Sequence, residues 1–113
     1  MYYGKDVRVF LKEQAKERFL ELQQKTDKES KSILNSIDRI KNILKENPQH
    51  GEPVAKKLIP PKLAVLGIQN LYRVELSNYW RMCYALESNE KEIFAFILII
   101  MSHKEYDKLF WYG

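Results

Sequence analysis

Residues 71–87 read LYRVELSNYWRMCYALE, and their alternation decides the fold. Residues 71–76 and 80–87 switch between apolar or aromatic and polar side chains, the period of strands that keep one face on a core. With Ser77, Asn78 and Tyr79 as a three-residue turn, Leu76 lies opposite Trp80, Val74 opposite Met82 and Tyr72 opposite Tyr84. One face of the hairpin is then wholly apolar or aromatic. The other face carries Glu75 opposite Arg81 and Arg73 opposite Cys83, whereas a two-residue turn mixes the arginines into the apolar set. Asn78 suits such a turn because it tolerates the left-handed conformation.

Working outward, residues 93–101 (IFAFILIIM) contain no polar member, which predicts a central strand covered on both faces. Ser102, His103, Lys104 and Glu105 follow as a capping box, so a short helix starts where that strand ends. Upstream, Asp6 to Leu11 predicts a first strand: Val7, Val9 and Leu11 alternate with Arg8, and Phe10 interrupts the pattern. Leu11, Ala15, Phe19 and Leu22 then recur at helical spacing in a helix ending near Lys25. Thr26 and Glu29 have the spacing of a capping box for a second helix, whose apolar stripe is Ile33, Leu34, Ile37, Ile40 and Leu44 and which stops at Asn47 and Pro48. Residues 48–70 form a connector broken by Pro48, Gly51, Pro53, Pro60, Pro61 and Gly67, with one helical turn around Val54 to Leu58. The expected architecture is α+β in a single domain over residues 1–113: an N-terminal strand, a helical hairpin, an antiparallel three-strand meander and a short C-terminal helix.

Composition bounds the class. A chain of 113 residues, 45% hydrophobic and 30% charged, buries one modest core. Nineteen Lys and Arg against fifteen Asp and Glu give a net charge of +4, which permits nucleic-acid binding without requiring it. The single cysteine, Cys83, excludes an intramolecular disulfide and reads as a small buried hydrophobe. The N-terminal residues lack signal-peptide character and no apolar run reaches membrane-spanning length, so a soluble cytoplasmic protein is expected. With only His50 and His103, the chain offers no recognisable zinc spacing, and it has neither a phosphate-binding glycine loop nor a nucleophile elbow.

The chemistry-bearing candidates lie around the hairpin. His103 occupies the first position of the last helix, where the amide-rich helix start favours a neutral imidazole as a base and attracts phosphate; the plainer reading is a surface histidine beside a cap. Arg81 opposite Glu75 is either a cross-strand ion pair or part of a pocket for an anionic transition state. On the first account Arg73 is left unpaired. Tyr106, one turn beyond His103, points its hydroxyl toward that histidine or serves in packing. Lys56, Lys57 and Lys62 add positive charge from the connector, and an exposed Tyr79 offers a ring for a base to stack on.

The order of these elements, together with ENPQHGEPVAKKL, NLYRVELSNYWRMCYALE and HKEYDKLF, resembles the RelE/ParE superfamily of toxins from toxin–antitoxin pairs. The resemblance spans nearly the whole chain. It implies a RelE-like, ribosome-dependent endoribonuclease that cleaves messenger RNA with no metal or other cofactor. A protein antitoxin would be its partner, giving a toxin–antitoxin hetero-oligomer. It assigns Arg81 to the phosphate and His103 to proton transfer, with Arg73 and Tyr106 as further catalytic candidates and Lys56, Lys57 and Lys62 as contacts to ribosomal or messenger backbone, to which the exposed Tyr79 adds an RNA contact read from the residues themselves. Two positions depart from the family pattern: Ser77 and Asn78 replace a glycine-containing turn, and Ser102 stands where an acidic residue often precedes the histidine. The same superfamily contains ParE-like inhibitors of DNA gyrase and noncatalytic binding proteins, which fold alone does not separate.

Overall fold

A computed structural model describes residues 1–111. The elements run β1 (Asp6–Leu11), α1 (Glu13–Gln24), α2 (Lys28–Glu46), β2 (Glu52–Pro53), a 3-10 turn (Lys56–Leu58), α3 (Pro61–Ala64), β3 (Tyr72–Glu75), β4 (Arg81–Ser88), β5 (Glu92–Met101) and α4 (His103–Trp111). The strands form one sheet in the order β1-β5-β4-β3-β2. β3, β4 and β5 make the expected antiparallel meander, while β1 runs parallel to β5. The α+β class is therefore as expected, with β2 added at the edge.

Hairpin register follows the side-chain argument: Tyr72 pairs with Tyr84, Arg73 with Cys83, Val74 with Met82 and Glu75 with Arg81. Asn78 and Tyr79 both take positive φ, 58° and 62°, which closes the turn. One face of the sheet packs against the helical hairpin. Ala15 and Leu22 of α1 and Ile33, Ile37, Ile40 and Leu44 of α2 meet Val74, Met82, Tyr84, Ala95, Ile97 and Ile100. Burying these side chains supplies the main drive for folding.

The start of α2 differs from expectation. Asp27, not Thr26, is the cap: its carboxylate accepts from the Ser30 backbone N–H at 3.0 Å and from the Ser30 hydroxyl at 2.9 Å. A carboxylate at the helix start gains from the helix dipole as well as from the hydrogen bonds, which a threonine hydroxyl does not.

β5 is sealed on its helix-hairpin face at Ala95, Ile97 and Ile100, whereas its opposite face, expected to be covered as well, is sealed only toward Met101. Elsewhere on that face Phe94 and Phe96 are half-buried, and the exposed Phe10 of β1 stacks on Phe96 at a ring separation of 5.7 Å and lies tilted to Phe94 at 6.2 Å. Phe10, which interrupts the strand pattern, is thus an outward member of an aromatic row. Further along, Cys83 pairs with Ile99 but Tyr84 with Ile97, so Leu98 is an extra residue in β5. This bulge directs Leu98 and Ile99 to one cluster and returns Ile100 to the other.

Two side-chain amides extend the ladders where neighbouring strands stop. Gln14 bonds both the N–H and the C=O of Ile100, at 3.0 and 3.1 Å. Asn70 does the same for Leu86, at 2.7 and 2.9 Å. Both satisfy part-buried backbone groups that would otherwise lack a partner.

The connector crosses the sheet closely at Gly51. The buried Tyr84 hydroxyl accepts from the Gly51 N–H at 2.8 Å and donates to the Pro48 carbonyl at 2.7 Å. A Cβ at residue 51 would lie 2.8 Å from that hydroxyl and 3.1 Å from the Arg73 carbonyl. Glycine is required here for close approach, and the approach delivers β2 to the edge of β3. Gly51→Ala is expected to cost about 1–3 kcal/mol through overpacking, read from urea unfolding. A cost near zero would show that the crossing yields freely.

Candidate functional site

The capping box at the start of α4 forms as expected. Ser102 N–H donates to Glu105 Oε1 at 2.8 Å, and the Glu105 N–H donates to Ser102 Oγ at 3.3 Å. The other oxygen of Glu105 accepts from Arg18 Nη2 of α1 at 2.6 Å. Arg18 in turn lies over the Trp80 ring, 5.2 Å from its centre. This chain of contacts fixes α4 relative to both α1 and the hairpin. Burial works against ionisation of Glu105, but the Arg18 and Ser102 hydrogen bonds outweigh it and hold the carboxyl below its usual value.

So anchored, α4 places Tyr106 against the arginine face of the sheet. Tyr106 is buried, and its hydroxyl accepts from Arg73 Nη1 instead of turning toward His103. The guanidinium carbons of Arg73 and Arg81 lie 6.0 and 5.3 Å from its ring centre. Arg73 is not unpaired: Glu52 of β2, directly across the register, accepts from its Nη2 at 3.0 Å and its Nε at 3.4 Å. The Glu52 hydrogen bond, then that of Tyr106, pushes the Arg73 pKa up still further. Arg81 donates from Nη1 to the Tyr79 and Trp80 carbonyls, at 2.7 and 3.3 Å, and its Nη2 lies 3.5 Å from Glu75.

A cavity of about 200 Å3 is lined by Glu52, Arg73, Glu75, Arg81 and Tyr106. His103 is outside that lining. It is exposed, with Nε2 3.3 Å from Asp107 one turn further on and its ring 6.3 Å from the exposed Tyr79. Tyr79 connects the two groups, since its carbonyl holds Arg81 while its ring faces His103.

The lysines do not join this cavity. Lys56 and Lys57 are exposed on the 3-10 turn, and Lys62, on α3, lines a separate groove of about 930 Å3 on the sheet face opposite the helical hairpin. That groove runs between α4 and the Pro60–Gln69 segment, with Leu63, Leu66, Ile68, Leu98, Met101 and Leu109 among its apolar walls. Cys83 is buried beneath the arginine face, and burial pushes its thiol up to about 12, so it serves in packing and not as a nucleophile.

Sequence reasoning missed Glu52, Asp107 and Arg18. Asp107 had a legible signal, the i,i+4 spacing from His103. Glu52 had none, because a two-residue strand carries no periodicity. Among the described residues, no three His, Cys, Asp or Glu side chains are grouped to hold a metal ion, and no helix is long and apolar enough to cross a membrane. No protein-family model, curated protein or solved structure matches the chain.

The α4 anchor has a pH signature. Stability supplied by ionised Glu105 is present above the ordinary carboxyl value near 4.3 and is lost as pH falls through its lower value in the folded protein. Glu105→Gln is expected to melt at lower temperature than the parent at about pH 7, with the gap closing below about pH 4. A gap that stays constant down to about pH 3 would remove the charge of Glu105 from the account.

Proposed function

We propose that this chain is a RelE-like toxin that cleaves messenger RNA on the ribosome and is held in check by a protein antitoxin. The observation that carries the reading is the convergence of two strand arginines and a buried tyrosine on one small cavity beside the start of α4. The resemblance of the sequence to RelE-type proteins supplies the substrate class.

In such a reaction the ribose 2′-oxygen attacks the adjacent phosphorus, the bond to the 5′-oxygen breaks, and a 2′,3′-cyclic phosphate and a 5′-hydroxyl result. The protein must align the nucleotide, move a proton and offset the added negative charge. Arg73 and Arg81 carry the positive charge, and Tyr106 orients Arg73 through its hydroxyl. His103 is the proton-transfer group, oriented by Asp107, and Tyr79 offers its ring to a base. Lys56, Lys57 and Lys62 hold RNA or ribosomal backbone by charge. The groove along α4 has the apolar walls suited to an antitoxin segment.

One observation favours the binding-only alternative, of which ParE-like gyrase inhibition is an example. Arg81 already meets two carbonyls and a carboxylate, so its guanidinium serves the turn as well as any ligand. A primer-extension map of transcripts after induction separates the readings. Discrete cuts within translated messages support cleavage, and DNA damage without cuts would replace it with gyrase inhibition.

Arg81→Ala is expected to reduce cleavage in a translating extract by about 10²- to 10³-fold, the effect of losing a donor aimed at developing charge. Lys57→Ala should weaken binding in a salt-dependent way only. Melting temperatures of both variants must accompany the rates because Arg81 also braces the turn. Equal, purely salt-dependent losses would make Arg81 a binding contact. His103→Gln should retain ribosome association and lower single-turnover cleavage by about 10²- to 10⁴-fold. Unchanged rates from about pH 5 to 9 would remove His103 from the mechanism.

A further inference from the structure

Arg73 presents its guanidinium in an unusual way. One nitrogen, Nη1, is fixed on the Tyr106 hydroxyl, which sets the plane of the group. The remaining edge, Nε and Nη2, is the fork that matches two oxygens of a carboxylate or a phosphate. Glu52 occupies that fork, at 3.4 and 3.0 Å. The two partners differ in how firmly they are held. Arg73 is 36% exposed and tied to the buried Tyr106, while Glu52 is 67% exposed on a two-residue edge strand. Arg81 repeats the asymmetry, at 14% exposed against 81% for Glu75.

We infer that Glu52 is a gate on the phosphate position of Arg73. Its carboxylate stands where a phosphodiester of single-stranded RNA would bind, and the RNA enters by displacing it. With both glutamates in place the cavity pairs two positive with two negative side chains and presents no net charge to an approaching phosphate. Swinging Glu52 into solvent exposes the fork and leaves the site with a net positive charge. The displacement is inexpensive because a solvent-exposed pair of this kind contributes only ~0–1 kcal/mol, so the gate selects against weak anions without blocking a tight one. Gly51 makes the arrangement possible, since only a residue without a side chain lets the connector pass over Tyr84 and bring Glu52 opposite Arg73. The choice of RNA as the anion rests on the nuclease reading above. The geometry of the gate does not.

The test is binding of a short single-stranded RNA bearing 2′-O-methyl groups, which cannot be cleaved by 2′-oxygen attack. Affinity is followed by fluorescence anisotropy over a series of salt concentrations. Glu52→Gln is expected to bind about three- to fivefold more tightly than the parent, with a salt slope steeper by up to about 0.7. Glu90→Gln, in the exposed β4–β5 turn and paired with no basic side chain among the described residues, corrects for the general loss of one negative charge. The gain should vanish when Arg73→Gln is combined with Glu52→Gln. An equal gain in Glu90→Gln, or a gain that survives without Arg73, would overturn the gate. Cleavage in a translating extract is scored separately. Tightening by Glu52→Gln with no cleavage by any variant would refute the nuclease and keep the gate, whereas cleavage without tightening would refute the gate and keep the nuclease.

Discussion

Two consecutive non-glycine residues, Asn78 and Tyr79, sit in the left-handed region at the hairpin tip, and the facing of β3 against β4 and the Arg81 contacts with the Tyr79 and Trp80 carbonyls depend on their staying there. Asn78 adopts that conformation readily, but Tyr79 pays about 1 kcal/mol or more for it. The surrounding structure holds it in place. Leu76 N–H donates to the Trp80 carbonyl at 2.8 Å, and the Ser77 N–H donates to Ser36 Oγ of α2 at 3.2 Å. Arg81 completes the brace by donating to the Tyr79 carbonyl. A one-residue slip of β3 against β4 would move Arg73 and Glu75 into the helix-covered core and expel Val74.

The sheet solves different problems on its two faces. Against the helical hairpin it buries a continuous apolar surface. On the other face a single extra residue, Leu98, shifts the phase of β5 so that Leu98, Ile99 and Met101 join Leu63, Leu71, Cys83 and Tyr106. That cluster is the seat of α4. The helix that seats Tyr106 over the arginines also contributes Glu105, Lys108 and Leu109 to the lining of the long groove. Site and groove therefore share one wall, and a ligand that moved α4 would disturb the Tyr106 contact with Arg73.

Charge compensation sets the character of the cavity. Arginine cannot lose its proton to escape burial, so a sheltered guanidinium must find acceptors. Arg81 finds two carbonyls and a carboxylate, and Arg73 finds a phenol oxygen and a carboxylate. Of the side chains that accept, Tyr106 is buried and the two carboxylates are largely exposed. They are the parts of the site most open to solvent. A chain with a net charge of only +4 thus keeps two arginines folded and ready without a strongly positive surface.

What the sequence by itself determined is what depends on local pattern. Strand alternation placed Arg73, Glu75 and Arg81 on one face, the helical stripe found Ile33, Ile37, Ile40 and Leu44, and the Ser102–Glu105 spacing announced α4. Each of these rests on neighbours within one turn or one hairpin. Even there, competition between adjacent caps was decided by the structure, where Asp27 displaced Thr26. Contacts between remote positions belong to the tertiary structure alone. Arg73 meets Glu52 across 21 residues and Tyr106 across 33, and Arg18 meets Glu105 across 87. No periodicity encodes such pairs, because they are fixed by the path of the connector over Gly51, the bulge at Leu98 and the docking of α4. The sequence supplied the arginines; only the packed chain decided which carboxylates and which ring would hold them.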